Sequence, residues 1–165
     1  MIYLSNSDTE HHIGEWFVPE DIEHIAFRLA YINRFNGSVG AYSVAQHSVE
    51  VAMQLPDYLK LSGLLHDVSE AYIGDITRPL KNHIQGYDEL ENFYCDVIDR
   101  HYEVETRHPL VKEADQRICA TEAQSFGMPM EHFEHIAKPY RRTIIKAKPS
   151  DAAARFVKMY KGLIA

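Results

Sequence analysis

LSGLLHDVSEAYIG, residues 61–74, is the stretch that decides how the chain is read. Leu61, Leu64, Leu65, Val68 and Tyr72 recur at the intervals that gather side chains on one side of an α-helix, and Gly74 supplies a stop. His66, Asp67 and Glu70 ride on the same helix. A helix that must bury one face therefore also carries three groups able to bind a metal or move a proton. Sustained alternation of apolar and polar residues, the mark of a half-buried strand, is absent from the whole sequence.

Helical spacing continues on both sides. Pro19-Glu20-Asp21 opens a first helix, with proline at a first-turn position and carboxylates at the positive end; Ile22, Ile25, Ala26, Leu29 and Ile32 form its stripe, and Asn36-Gly37 ends it. Ser43-x-x-Gln46 has the form of a capping box before Val44, Ser48, Val51 and Leu55, with Pro56 as the stop and His47 close to the buried face. Tyr87, Leu90, Tyr94, Val97, Ile98 and His101 mark a further helix. Val111, Ala114, Ile118, Thr121 and Ser125 mark another, which begins after Pro109 and carries Asp115. Residues 127–149 hold Pro129, Pro139, Pro149 and several basic side chains, and read mainly as loop. Ser150-Asp151 then caps a C-terminal helix over 150–162 that bears Ala153, Phe156, Val157 and Tyr160. The expected fold is all-α, a single domain over 1–165.

Composition bounds the function. A chain of 165 residues, 45% hydrophobic and 25% charged, matches one ordinary globular domain. Its 17 basic and 24 acidic side chains leave a net charge of -7, which repels a nucleic-acid backbone, so a phosphate partner is expected to be small and held in one pocket. Cys95 and Cys119 are too few for a disulfide framework and read as buried small hydrophobes in a reducing cytoplasm. No signal-peptide-like start and no apolar run of ~18 residues occurs, so no membrane partner is expected. Of ten histidines, His132 and His135 read as surface residues. The pair His66-Asp67 differs in kind: neighbours ~100° apart around a helix reach one ion only if it sits between them and other helices complete the shell. His47 and Asp115 stand where such ligands could come from.

Five blocks, Ile32-Asn33-Arg34-Phe35, Ser43 to Ser48, Leu64 to Ala71, Gly74 to Lys81 and Val111 to Asp115, occur in this order, with 18 residues between His47 and His66 and 47 between Asp67 and Asp115. Over about 22–122 this pattern resembles the HD-domain metal-dependent phosphohydrolases, and within them the branch of bacterial 5'-deoxynucleotidases and compact phage deoxynucleotide hydrolases. The resemblance implies a helical HD fold with one divalent ion held by His47, His66, Asp67 and Asp115. Two imidazoles and two carboxylates suit manganese, cobalt, iron or zinc better than magnesium. It further implies that Glu70 and Asp75 act in catalysis and that Arg34, Phe35, Arg78, Lys81 and Lys112 contact the substrate, Arg34 through the phosphate and Phe35 through the sugar. Phe35 stands where the 5'-deoxynucleotidase relatives commonly have tryptophan.

The activity implied is a 5'-nucleotidase releasing phosphate from deoxyribonucleoside 5'-monophosphates. A triphosphohydrolase releasing triphosphate from deoxyribonucleoside triphosphates uses the same metal site and is the alternative; a non-catalytic module that binds metal and nucleotide is the alternative of another class. Relatives form dimers or larger rings, so a homo-oligomer is expected.

Overall fold

A helix with no exposed face organises the molecule. The computed structural model describes residues 2–3, 10–11, 18–133 and 136–165. Its α-helices are α1 (Ile22–Tyr31), α2 (Val44–Ala52), α3 (Lys60–Leu65), α4 (Glu70–Ile73), α5 (Arg78–Lys81), α6 (Tyr87–Tyr102), α7 (Pro109–Ser125) and α8 (Pro149–Leu163). Extended pairing among the described residues is limited to β1 (Ile2–Tyr3) antiparallel to β2 (Glu10–His11) and a bridge between Asn33 and Ser43. The fold is all-α, as expected.

All nine residues of α2 are buried, and the helix packs against α1, α3, α7 and α8. One apolar cluster joins it to α1, α3 and α8 through Ile25, Leu29, Val44, Leu64, Leu65 and Phe156. A second, on the α7 side, contains Tyr42, Val51, Leu55, Val111, Ile118 and Ile144. Each large aliphatic or aromatic side chain removed from water in this way contributes ~1.5–3 kcal/mol.

Gln46, His47, Ser48 and Glu50 are buried with the rest of α2 and must find partners there. Ser48 Oγ donates to the Val44 carbonyl at 3.0 Å. Ser43 Oγ accepts from the Gln46 amide at 3.2 Å, as a capping box requires, but the Gln46 side chain does not complete the box. Instead its Nε2 donates to the Ile145 carbonyl and its Oε1 accepts from the Ala147 amide, both at 2.8 Å. Glu50 takes Arg142 as its ion-pair partner.

These contacts help explain how the described residues between α7 and α8 hold a course with little helix, the 3-10 turn Met130–His132 apart. From α7, Thr121 Oγ1 accepts from the Tyr140 amide at 2.9 Å, Ser125 Oγ from the Ile144 amide at 3.0 Å, and Arg117 Nε donates to the Lys138 carbonyl at 3.2 Å. Polar side chains of α2 and α7 thus satisfy loop backbone that no helix or sheet serves.

Several boundaries differ from the sequence reading. α1 starts after Asp21, leaving Pro19 outside it, and ends at Tyr31; a separate 3-10 turn, Arg34–Gly37, precedes α2. α7 and α8 begin on Pro109 and Pro149 themselves, because proline needs no hydrogen-bonded amide in the first turn; Lys148, not Ser150-Asp151, occupies the N-cap position of α8, with no side-chain capping hydrogen bond.

The larger correction concerns 61–74, which is not one helix. Past Leu65 three amides reach back three residues instead of four: Val68 to the Leu65 carbonyl at 3.1 Å, Glu70 to Asp67 at 3.0 Å, and Ala71 to Val68 at 3.1 Å. His66 Nδ1 takes the Gly63 carbonyl at 2.8 Å, so a side chain occupies an acceptor of the helix it terminates. His66 and Asp67 therefore sit on a tightened turn. Gly74, at φ 79°, ends the segment as expected.

Gly63 also lets α3 approach α2 closely. A Cβ there would lie 2.2 Å from Leu55 Cδ1 and 3.3 Å from Ala52 Cα. On an exposed helix, glycine to alanine stabilises by up to ~1 kcal/mol, but overpacking a core costs ~1–3 kcal/mol. Gly63→Ala is therefore expected to lower the unfolding free energy by about 1 kcal/mol in denaturant titration; an increase would contradict this packing.

Candidate metal centre

His47 is brought to the centre by α2, and its ring is fully buried. Its Nδ1 lies 2.6 Å from Glu122 Oε1. Glu122, also fully buried, accepts from Tyr42 Oη at 2.7 Å on the same oxygen and from Arg34 Nε at 3.1 Å on the other. Burial opposes the Glu122 charge, yet Arg34 and His47 hold its pKa below the ordinary carboxylate range. An ionised carboxylate only accepts, so the Nδ1 of His47 carries the proton. The same reasoning applies to His66, whose Nδ1 faces a carbonyl oxygen. Both rings thus turn Nε2 inward, and both Nε2 atoms are buried without a hydrogen-bond partner.

What they face is acidic. His47 Nε2 lies 3.1 Å from Asp115 Oδ1 and 3.5 Å from Asp67 Oδ2. His66 Nε2 lies 3.2 Å from Asp67 Oδ2 and 3.9 Å from Asp115 Oδ1. The ligand atoms of His47, His66 and Asp67 fall within 4.8 Å of one another, a cluster that could hold a metal ion, and Asp115 closes on the same two nitrogens. Lone pairs confronting carboxylate oxygens repel unless a positive charge lies between them, either extra protons or a cation.

The titration behaviour has that sign throughout. Burial and the Arg34 guanidinium oppose charging His47, but the Glu122 and Asp115 carboxylates outweigh them and hold its pKa up at about 9. Burial likewise opposes the His66 cation, and Asp67 and Asp115 raise its pKa nonetheless. Asp67 and Asp115 are held below the usual range against burial, Asp67 chiefly by His66 and Asp115 chiefly by His47. A divalent cation would supply the charge these groups otherwise draw from protons.

The centre borders a cavity of about 760 Å³. Asp67 and Asp115 line it, as do Glu70, Asp75, Arg34, Phe35, Arg78 and Lys81 from the expected set. Glu70 is buried, with Oε2 unpartnered, and burial followed by the charges of Asp67 and Asp75 drives its pKa well above the ordinary value. Burial also raises Asp75. Arg34 is fixed beside α2 by the hydrogen bond of its amide to the Tyr42 carbonyl at 2.9 Å, and its Nη1 comes within 3.7 Å of Asp67. The next two residues, Phe35 and Asn36, have φ of 55° and 50°, a left-handed conformation that costs a bulky residue on the order of 1 kcal/mol or more.

Two expected substrate contacts stand differently. Lys112 is exposed and does not line the cavity, whose α7 wall is built from Asp115, Gln116 and Cys119. Lys81 lines it but pairs with Glu91 at 2.5 Å. Cys95 is buried as expected, whereas Cys119 is half-buried in the cavity wall, its thiol pushed up to about 12 by burial. His132 is exposed at the cavity, and His135 lies outside the described residues.

The residue that sequence reasoning missed is Glu122. It lies seven residues after Asp115, two turns along α7 on the same side, and a carboxylate between Ile118 and Ala123 on a buried face was the available signal. Partners of this kind fix the tautomer of a metal-binding histidine, and their loss typically costs 10–100-fold in metal affinity. Glu122→Gln is accordingly expected to weaken manganese or zinc binding ~10–100-fold in a metal titration; unchanged affinity would remove Glu122 from the centre.

No helix among the described residues is long and apolar enough to cross a membrane. No family model matches the chain. It is 41% identical over 83 residues to an uncharacterized protein of Rhodobacter capsulatus, an alignment covering 44% of this chain and 42% of that protein. It is 32% identical over 171 aligned residues to the uncharacterized protein YfdR of Escherichia coli (strain K12), covering 99% of this chain and 96% of the relative. With likeness extending over nearly the whole of both proteins, this chain belongs to the family of YfdR.

Proposed function

We propose that the chain is a metal-dependent phosphohydrolase of the HD class that acts on 2'-deoxyribonucleotides, releasing phosphate from deoxyribonucleoside 5'-monophosphates. The observation that carries this reading is the convergence of two unpartnered imidazole Nε2 atoms and two carboxylates beside a cavity that also holds a buried arginine. His47, His66, Asp67 and Asp115 would hold one divalent ion, with manganese, cobalt, iron or zinc favoured over magnesium by the mixed nitrogen and oxygen donors. When bound, such an ion supplies Lewis acidity toward a phosphoryl oxygen and lowers the pKa of water.

The remaining work falls to side chains. Arg34 gives Nε to Glu122, which fixes the plane of its guanidinium; its outer edge, with Nη1 3.7 Å from Asp67, borders the cavity where a phosphoryl oxygen would lie. Glu70, whose pKa burial and the charges of Asp67 and Asp75 raise well above the ordinary value, is suited to pass a proton to the leaving 5'-oxygen. Asp75 lines the same cavity and would accept hydrogen bonds from the substrate. Arg78 neutralises outer phosphate oxygens from the cavity wall. Because Lys81 is engaged by Glu91 and Lys112 lies outside the cavity, fewer free cations face a polyphosphate than the sequence offers, which favours monophosphate over triphosphate.

The decisive screen incubates purified protein with each deoxy- and ribonucleoside mono- and triphosphate and each of the four favoured metals. Phosphate from deoxyribonucleoside monophosphates is expected; triphosphate release would select the triphosphohydrolase, and silence from metal-loaded protein the binding module. Asp67→Ala should lose metal by elemental analysis and all turnover while retaining its helical circular dichroism; full metal content would refute the ligand assignment. Glu70→Gln should keep its metal but lose ~10²-fold or more in turnover. Near wild-type turnover would discard its role in proton transfer.

A further inference from the structure

Phe133 lies between α7 and α8, outside every block that carries the family resemblance, yet it lines the cavity together with Phe35. The two rings meet edge to face, with centroids 6.2 Å apart and planes at 77°. Perpendicular rings form a corner: a planar ligand that stacks on one presents its edge to the other, and both are favoured aromatic geometries. Ile76, Pro79 and Ile136 extend the apolar lining, so the cavity offers more than a phosphate needs. The corner is also tied to the charged part of the site. The Arg34 guanidinium carbon lies 5.5 Å from the Phe35 ring centroid, and Arg34 reaches Glu122 and Asp67. Phe35 itself has a left-handed backbone, at φ 55°.

We infer that Phe133, with Phe35, forms a ring-binding corner that receives the planar base of an organic phosphate, and that Phe133 determines how tightly the base is held. The inference rests on the proposal that this cavity admits a nucleotide with its phosphate toward Arg34. Phe133 is a positioning residue, distant in role from the proton-transfer groups: it binds the ring and leaves the reacting bond alone.

The test is binding, which separates it from turnover. Each of the four 2'-deoxynucleosides, at millimolar concentration, is titrated into the metal-loaded protein by saturation-transfer NMR, with 2-deoxyribose 5-phosphate as the ring-free probe. At least one nucleoside should bind through its ring protons. Base–aromatic stacking is worth at least ~1 kcal/mol, so Phe133→Ala and Phe133→Leu should weaken that binding about 5-fold or more. Phe133→Leu keeps apolar volume without a ring, and its amide spectrum serves as the control for folding. Phe133→Trp should retain or tighten binding, and none of the three should change the affinity of 2-deoxyribose 5-phosphate. Absence of nucleoside binding by the wild type, or wild-type nucleoside affinity in Phe133→Leu, would overturn the inference. Ring binding without hydrolysis of any nucleotide would uphold the corner and remove the phosphohydrolase; hydrolysis with nucleoside affinity indifferent to Phe133 would do the reverse.

Discussion

The hydrogen bond from His47 Nδ1 to Glu122, 2.6 Å long and closed to solvent, is the contact on which the rest of the arrangement depends. It fixes which nitrogen of His47 is left to face Asp67 and Asp115. It also explains the convergence of Tyr42 and Arg34, since a buried carboxylate is tolerated only with its lone pairs filled. Those residues come from α2, α7 and the connection before α2, so one charge ties together elements that apolar packing alone would leave free to slide.

Such a network is a poor source of net stability. Desolvation of buried ions consumes most of the Coulombic gain, and removal of one partner strands the others. The apolar clusters on either side of α2 supply the driving force, and the polar seam between them supplies the register. The strained Phe35 backbone belongs with this seam, as conformational energy held at a site by a surrounding structure that over-determines it. The cavity is correspondingly two-sided: acidic groups meet a buried guanidinium near the imidazoles, and an aromatic lining adjoins them.

The helices with clear stripes were legible from spacing: Ile25 and Leu29 on α1, Tyr94 and Ile98 on α6, Val111 and Ile118 on α7 all stand buried where the period of the sequence places them. His47, His66, Asp67 and Asp115, which the sequence spreads over about seventy residues, stand within 4 Å of one another's ligand atoms in the pairs His47–Asp67, His47–Asp115, His66–Asp67 and His66–Asp115. Periodicity could not reveal the break after Leu65, because a side chain competing for the Gly63 carbonyl leaves the apolar spacing intact. Nor could it reveal that Gln46 abandons its cap for residues 145–147, a contact between positions a hundred apart in sequence. Lys112 shows the opposite limit: membership of a block placed it near the site, and only the helix surface decides that it faces water.

The account stands or falls on the two inward nitrogens. Long-range proton–nitrogen-15 NMR of the histidine rings, recorded on apo protein and during addition of zinc, reports which nitrogen bears hydrogen and which binds metal. His47 and His66 should both bind zinc through Nε2 while keeping the proton on Nδ1, with the other histidines unmoved. Coordination through Nδ1, or zinc shifts confined to other histidines, would contradict it.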